Sequence, residues 1–198
     1  MDFNDLDSRI KRLNHSLGKE YELDIKSQVK VSRKVNNDVH EIGFSFGAMD
    51  ETEIIDRIFN VVNNIASLKD HLKNKLMANS KDPNLVEDMI NNSMALKLIL
   101  DLWNQDKHGY PLTKTNRSKL NPKIVNVGQG LIISNGDKAS VSFTITENDA
   151  SYTSSQNAAV VISGDVIDEY EKFIVSVEDM FRQGVLDLEN FLKSQGLI

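Results

Sequence analysis

The 198-residue sequence contains no cysteine. This absence excludes a disulfide-stapled scaffold, a cysteine-ligated zinc site, an iron–sulfur cluster and a thiol nucleophile. Proline and glycine are scarce, with 3 and 10 residues, which argues against collagen-like or low-complexity chains. Hydrophobic residues make up 40% of the chain and charged residues 26%. These fractions are typical of an ordinary globular protein, and we expect a single domain spanning residues 1–198.

Long apolar runs are also missing. The longest continuous runs, such as residues 158–162, have the length of a strand and are far too short to cross a membrane. Residues 1–5 are acidic and lack the basic and apolar segments of a secretory signal. We therefore expect a cytoplasmic protein without a membrane partner.

Basic residues are outnumbered by acidic ones, 23 to 29, which gives a net charge of −6. This balance disfavours sequence-independent binding to nucleic acid, which depends on neutralising phosphates. One acid-free segment is an exception and is either a local basic patch or a solvated loop. Its basic residues are Lys107, Lys114, Arg117, Lys119 and Lys123.

Four segments repeat apolar residues at steps of three and four positions, which predicts amphipathic helices. Gly109 and Pro111 are expected to end the third of them, because glycine is a common helix stop and proline cannot continue a helix. The predicted helices are residues 2–17, 51–78, 83–105 and 167–194.

Two regions between these helices alternate apolar and polar residues, which predicts strands at 21–46 and 124–163. Asn36-Asn37-Asp38 in the first region and Asn135-Gly136 in the second predict hairpin turns. Strands joined by short hairpins are antiparallel. We therefore predict an α+β fold, in which a bundle of three to four long helices carries antiparallel hairpin or meander insertions.

The last predicted helix carries more apolar residues than a terminal helix of a small domain usually needs. The excess lies beside its main seam, which extends from Tyr170 to Leu192. It predicts a symmetric homodimer packed through this helix, although ordinary burial in the core explains it nearly as well. The residues in excess are Phe173, Met180, Phe181 and Phe191.

The end of the third predicted helix combines several chemically active side chains. Asn104 and His108 are four residues apart and so share one helix face. There they could hold a phosphate or a ribose hydroxyl, and the imidazole could act as general acid or base. Alternatively, both are capping residues for the turn into Pro111. The candidate binding residues around them are Lys107, Tyr110, Lys114 and Arg117.

The segment Asn104-Gln105-Asp106-Lys107-His108, at the end of a bundle helix, resembles the motif of HEPN-type helical-bundle proteins. Many members are RNases of microbial defence and toxin–antitoxin systems, with a catalytic arginine, a polar residue, a short spacer and a histidine. The resemblance implies that His108 is the family's histidine and Asn104 its polar residue. Trp103 stands in place of the arginine, and Lys107 is a poor geometric substitute for a guanidinium that would stabilise charge on a phosphate.

Three functions stay open. The first is a non-catalytic binding protein of HEPN-like type, in a microbial defence or toxin–antitoxin setting, that binds a protein partner or RNA. The second is a metal-independent RNase with His108 as general acid or base and Asn104 orienting the phosphate. The third is an acidic immunity or antitoxin-like protein that neutralises a basic partner.

We favour the first because the arginine is missing, and we expect His108 to be buried and bonded to the backbone of residues 109–111. The histidines lack the spacing of metal ligands. We therefore expect neither a metal nor a cofactor.

Overall fold

The protein, described here by a computed structural model, combines packed α-helices with antiparallel β-sheets, which confirms the α+β class. Its helices are α1 (Glu51–Ala78), α2 (Asn84–Asn92), α3 (Met94–His108) and α4 (Val177–Ser194). The structure describes residues 8–10, 13, 29–36, 39–46, 49–112, 116–133, 141–145, 150–154 and 158–198.

Helix α1 coincides with the predicted helix 51–78. It begins at Asp50, whose Oδ1 accepts a hydrogen bond from the backbone N–H of Glu53 at 2.8 Å, as expected of an N-cap carboxylate. Of the predicted helix 2–17, residues 8–10 and 13 are helical, and the rest lies outside the described residues. Ile10 and Leu13 are buried in the core.

The predicted helix 83–105 is wrong in one respect, because it consists of two helices that meet at Ser93. Ser93 is extended, with φ −105° and ψ 118°, and its Oγ accepts from the Leu96 N–H at 3.1 Å. The same hydroxyl donates to Asp187 of α4 at 2.5 Å.

The second of these helices, α3, also ends later than predicted, at His108. Gly109 follows it with φ 83°, a left-handed conformation that costs glycine little.

Ser93→Ala should lower the free energy of unfolding by about 1 kcal/mol, because it removes the N-cap of α3 and its bond to α4. Urea unfolding followed by circular dichroism measures this loss. Ser67→Ala is the matched control. Ser67 is exposed in the middle of α1, so its replacement should be neutral or slightly stabilising.

The described strands are β1 (Val29–Asn36), β2 (Val39–Phe46), β3 (Lys123–Ile133), β4 (Val141–Ile145), β5 (Ala150–Ser154), β6 (Ala158–Ile167) and β7 (Phe173–Ser176). They form three antiparallel sheets. β1 pairs with β2, β4 pairs with β5, and the largest sheet has the order β3-β6-β7. Asn36 lies opposite Val39 in the first hairpin, as its turn predicts. Residues 21–28 and residues 135–136 lie outside the described residues. The hairpin predicted at Asn135-Gly136 is nevertheless wrong, because β3 and β4 on its two sides pair with β6 and β5 and not with each other.

The last helix begins ten residues later than the predicted 167–194, at Val177. In place of its first turns, the chain completes β6, makes a tight turn and forms β7. The Oδ1 atom of Asp168 accepts from the backbone N–H groups of Tyr170 and Lys172, both at 2.9 Å, and so fixes the turn. The run Phe173-Ile174-Val175 then favours a strand, because aromatic and β-branched residues fit a pleated sheet.

Core packing accounts for part of the apolar excess that predicts a homodimer. Met180 and Phe181 are each 1% exposed within the single chain, where they belong to the core shared by α1, α3, α4 and β6. Helices α3 and α4 approach closely at Gly184, where a Cβ atom would lie 2.8 Å from the Ile99 Cδ1. Phe173 is on β7 and not on the helix.

Candidate functional site

The motif residues lie in the last turns of α3, as the sequence predicts. The helix continues to His108, so Asn104 and His108 share one face. His108 is exposed, and the expectation that it is buried is wrong. The physical reason is that the backbone of Gly109 caps the C-terminal end of α3. Its N–H donates to the Gln105 carbonyl at 2.8 Å, which leaves no structural need for the imidazole there.

Trp103 and Lys107 form a pair on the surface of α3. The Lys107 ammonium lies 3.5 Å from the centroid of the Trp103 ring, within the range of a cation–π interaction. Trp103 thus holds a cation over its ring and supplies none of its own.

Arg117 is engaged by other groups. Its Nη1 atom lies 3.0 Å from an oxygen of Glu87, and its backbone N–H donates to Asp101 at 2.7 Å. Lys114 lies outside the described residues. Among the predicted cations that the structure describes, Lys107 and Arg117 therefore have partners other than Asn104 and His108.

Asp101 is a fully buried carboxylate on α3, with 0% exposure. It accepts from the backbone N–H groups of Arg117 and Ser118, both at 2.7 Å, and from the Ser118 hydroxyl at 2.6 Å. These bonds hold the segment 116–120 against the helix. Asp101 was not among the predicted site residues. An acid between Leu98 and Leu102 on an apolar helix face nevertheless indicates a buried carboxylate that needs hydrogen-bond partners.

Glu87 of α2 joins three cations. Its carboxylate lies 2.7 Å from the Lys69 ammonium, 2.6 Å from that of Lys73 and 3.0 Å from the Arg117 guanidinium. Partial burial raises the pKa of Glu87, but hydrogen bonds from Lys69 and Lys73 and the charges of Lys69 and Arg117 outweigh it. The pKa falls from 4.5 to about 2. The sequence contains no local motif that predicts this cluster, because its members come from three segments that are distant in sequence.

A cleft of about 310 Å³ opens beside the end of α3. The Nε2 atom of Gln105 is buried in this region and has no hydrogen-bond partner among the described residues. At the same cleft, the Lys123 ammonium lies 4.5 Å from the centroid of the Tyr110 ring. The cleft is lined by Ile55, Ile58, Phe59, Leu102, Gln105, Tyr110, Lys123 and Ile124.

The turn between β6 and β7, residues 168–172, and the first residue of β7, Phe173, display large exposed side chains. We call residues 168–173 the aromatic turn. Tyr170 is 82% exposed and Phe173 is 58% exposed. The turn is tied to the segment before β3, because the Glu169 N–H donates to the Leu120 carbonyl at 3.1 Å. Asn121 also donates to the Glu169 carboxylate at 3.2 Å. The aromatic side chains are thus held on a fixed backbone.

No protein-family model matches the chain, and neither a curated protein nor a solved structure shows significant similarity to it. The described helices include none with an apolar stretch that could span a membrane. Within the same described residues, no three histidine, aspartate or glutamate side chains come together as metal ligands would.

Proposed function

We propose that the chain is a non-catalytic cytoplasmic binding protein of HEPN-like type, working in a microbial defence or toxin–antitoxin setting, that binds a protein partner through the aromatic turn. The observation that carries this proposal is the display of Tyr170 and Phe173 on a turn fixed by Asp168. Tyrosine and phenylalanine are enriched at protein interfaces, and tyrosine also at binding hot spots. A fixed turn lowers the entropy lost on binding.

The charges of the turn favour a basic protein over RNA. Glu169 and Glu171 are exposed on either side of Tyr170, and the whole chain has a net charge of −6. Carboxylates repel phosphates and attract lysine and arginine side chains. A basic protein partner also agrees with the third function drawn from the sequence, that of an acidic antitoxin-like neutraliser.

The engagement of the cations supports a non-catalytic role. Arg117 pairs with Glu87 and Lys107 lies over Trp103, so each of these cations has a described partner other than His108. A homodimer through α4 is the alternative protein partner. Its supporting observation is Leu186 on α4, which is 47% exposed, and light scattering at high concentration would give twice 22.3 kDa.

Photo-crosslinking in living cells tests the partner. With Tyr170→p-benzoylphenylalanine, we expect a discrete cross-linked band that protease removes and nuclease does not. The matched control is Met77→p-benzoylphenylalanine, because Met77 is 53% exposed near the end of α1. Equal cross-linking from both positions, or a product that nuclease removes, would contradict the proposal.

The RNase using His108 is the second candidate function, and the exposure of His108 favours it. For a binding protein, His108→Ala should change the free energy of unfolding by less than about 0.5 kcal/mol and should leave binding through Tyr170 intact. For an RNase, the same change would lower cleavage of RNA by about 10²–10⁴-fold. Purified protein and fluorescent RNA substrates of mixed sequence distinguish the two.

A further inference from the structure

We infer that the cleft beside the end of α3 is a binding site for a small carboxylic acid with an apolar body. The cleft lies where the first turns of α1, the last turns of α3 and the start of β3 meet. It is separate from the aromatic turn, and its ligand is a small molecule and not the protein partner proposed above.

The size of the cleft sets the size of the ligand. A volume of about 310 Å³ equals that of about ten molecules of liquid water at ~30 Å³ each, which is enough for a small organic molecule. This is the lower end of the range for ligand pockets.

The side chains that line the cleft favour a ligand that is mostly apolar. Ile55, Ile58 and Phe59 of α1 face it together with Leu102 and Ile124. Apolar walls favour an alkyl chain or an aromatic ring, because such a body leaves water on binding without losing hydrogen bonds.

The polar groups at the cleft determine which polar group the ligand should carry. Gln105 lines the cleft, and its Nε2 atom is a buried donor without an acceptor among the described residues. Rotation of this amide towards the cleft would let an oxygen of the ligand accept from it. Lys123 is the one charged residue among the described residues that line the cleft, and its cation is held at the Tyr110 ring. A carboxylate matches this pair with one negative charge and two acceptor oxygens. A phosphate dianion would leave a second charge unpaired.

Octanoate, with about ten non-hydrogen atoms, is the probe, and chemical shifts of the labelled full chain report its binding below the micelle concentration. We expect saturation with a dissociation constant of about 1 mM or tighter. Octylamine and octan-1-ol should bind about tenfold more weakly or not at all. Absence of saturable octanoate binding, or equal binding of octylamine, would overturn the inference.

Three variants locate the site. Lys123→Met should weaken octanoate binding about tenfold, whereas Lys75→Met should not, because Lys75 is an exposed cation about 24 Å along α1 from Phe59. Gln105→Leu should weaken binding while raising the melting temperature of the unliganded chain, since it removes the unpaired donor. A purely structural Gln105 would leave octanoate binding unchanged. Unaltered binding by Lys123→Met would also refute the site.

The test is independent of the protein partner. Tyr170→Ala should leave octanoate binding unchanged, because Tyr170 is not among the residues of the cleft. Loss of octanoate binding in Tyr170→Ala would place the ligand on the aromatic turn and contradict the assignment to the cleft.

Discussion

Asp101→Ala is expected to lower the free energy of unfolding by about 3–4 kcal/mol. The carboxylate is fully buried and accepts three hydrogen bonds, from Arg117 N–H, Ser118 N–H and the Ser118 hydroxyl. Its removal leaves the two backbone N–H groups without this acceptor, leaves the Ser118 hydroxyl with a longer bond to Asn116 Oδ1 at 3.3 Å, and opens a small cavity beside α3. Urea unfolding at neutral pH measures the loss, and faster hydrogen exchange at the amides of Arg117 and Ser118 locates it.

Asp106→Ala is the matched control for this prediction. Asp106 is an exposed acid on the same helix, five residues further along, and its replacement should change stability by less than about 0.5 kcal/mol. Asp101→Asn should lie between the two variants, because the amide keeps one acceptor oxygen but places its NH₂ donor against the backbone N–H of Arg117 or Ser118. Equal stability of Asp101→Ala and Asp106→Ala would show that the carboxylate does not anchor residues 116–120.

The sequence predicts well those elements whose signal is local and uninterrupted. Helix α1 combines a long apolar stripe with the cap at Asp50, so both its ends agree with the prediction of residues 51–78. The first hairpin is equally local, since its turn residues lie between two alternating strands. Local periodicity and local capping suffice there, because no distant partner competes with them.

The two wrong boundaries have a common physical origin in tertiary contacts. The break at Ser93 leaves the apolar spacing almost undisturbed, and only its bond to Asp187 on another helix shows why the chain is extended there. Residues 173–176 also carry helical spacing. They form β7 because the edge of β6 is available for pairing, with Val166 opposite Val175. Tertiary pairing overrides a local period in such cases.

The candidate site was predicted in part. The spacing of Asn104 and His108 places them correctly on one helix face, but their sequence does not reveal which groups engage the cations around them. In the fold, Lys107 lies over the Trp103 ring and Arg117 pairs with Glu87, which is 30 residues away in sequence. The cleft was not predicted, because its walls come from three elements that are distant in sequence.

The ion cluster on α2 should make stability depend on acid pH. A lowered pKa means that Glu87 stays charged in the folded chain at a pH where it is already protonated in the unfolded chain. Its contribution is therefore complete above the unfolded value of 4.5 and is lost as the pH falls towards about 2. The whole shift would correspond to about 3 kcal/mol at neutral pH. Since 26% of the side chain is exposed, solvent screening reduces this to about 2 kcal/mol.

Glu87→Gln should accordingly destabilise the protein by about 2 kcal/mol at pH 7, because Lys69, Lys73 and Arg117 then lose their shared counterion. The difference from the unmodified chain should shrink as the pH is lowered from 4.5 towards 2. Urea unfolding across this pH range measures it. Glu178→Gln is the matched control, since Glu178 pairs with Arg182 at the surface, where Arg182 is 72% exposed, and its loss should cost less than about 0.5 kcal/mol. A Glu87→Gln effect that persists undiminished near pH 2 would show that packing of the side chain, and not its charge, stabilises this part of the fold.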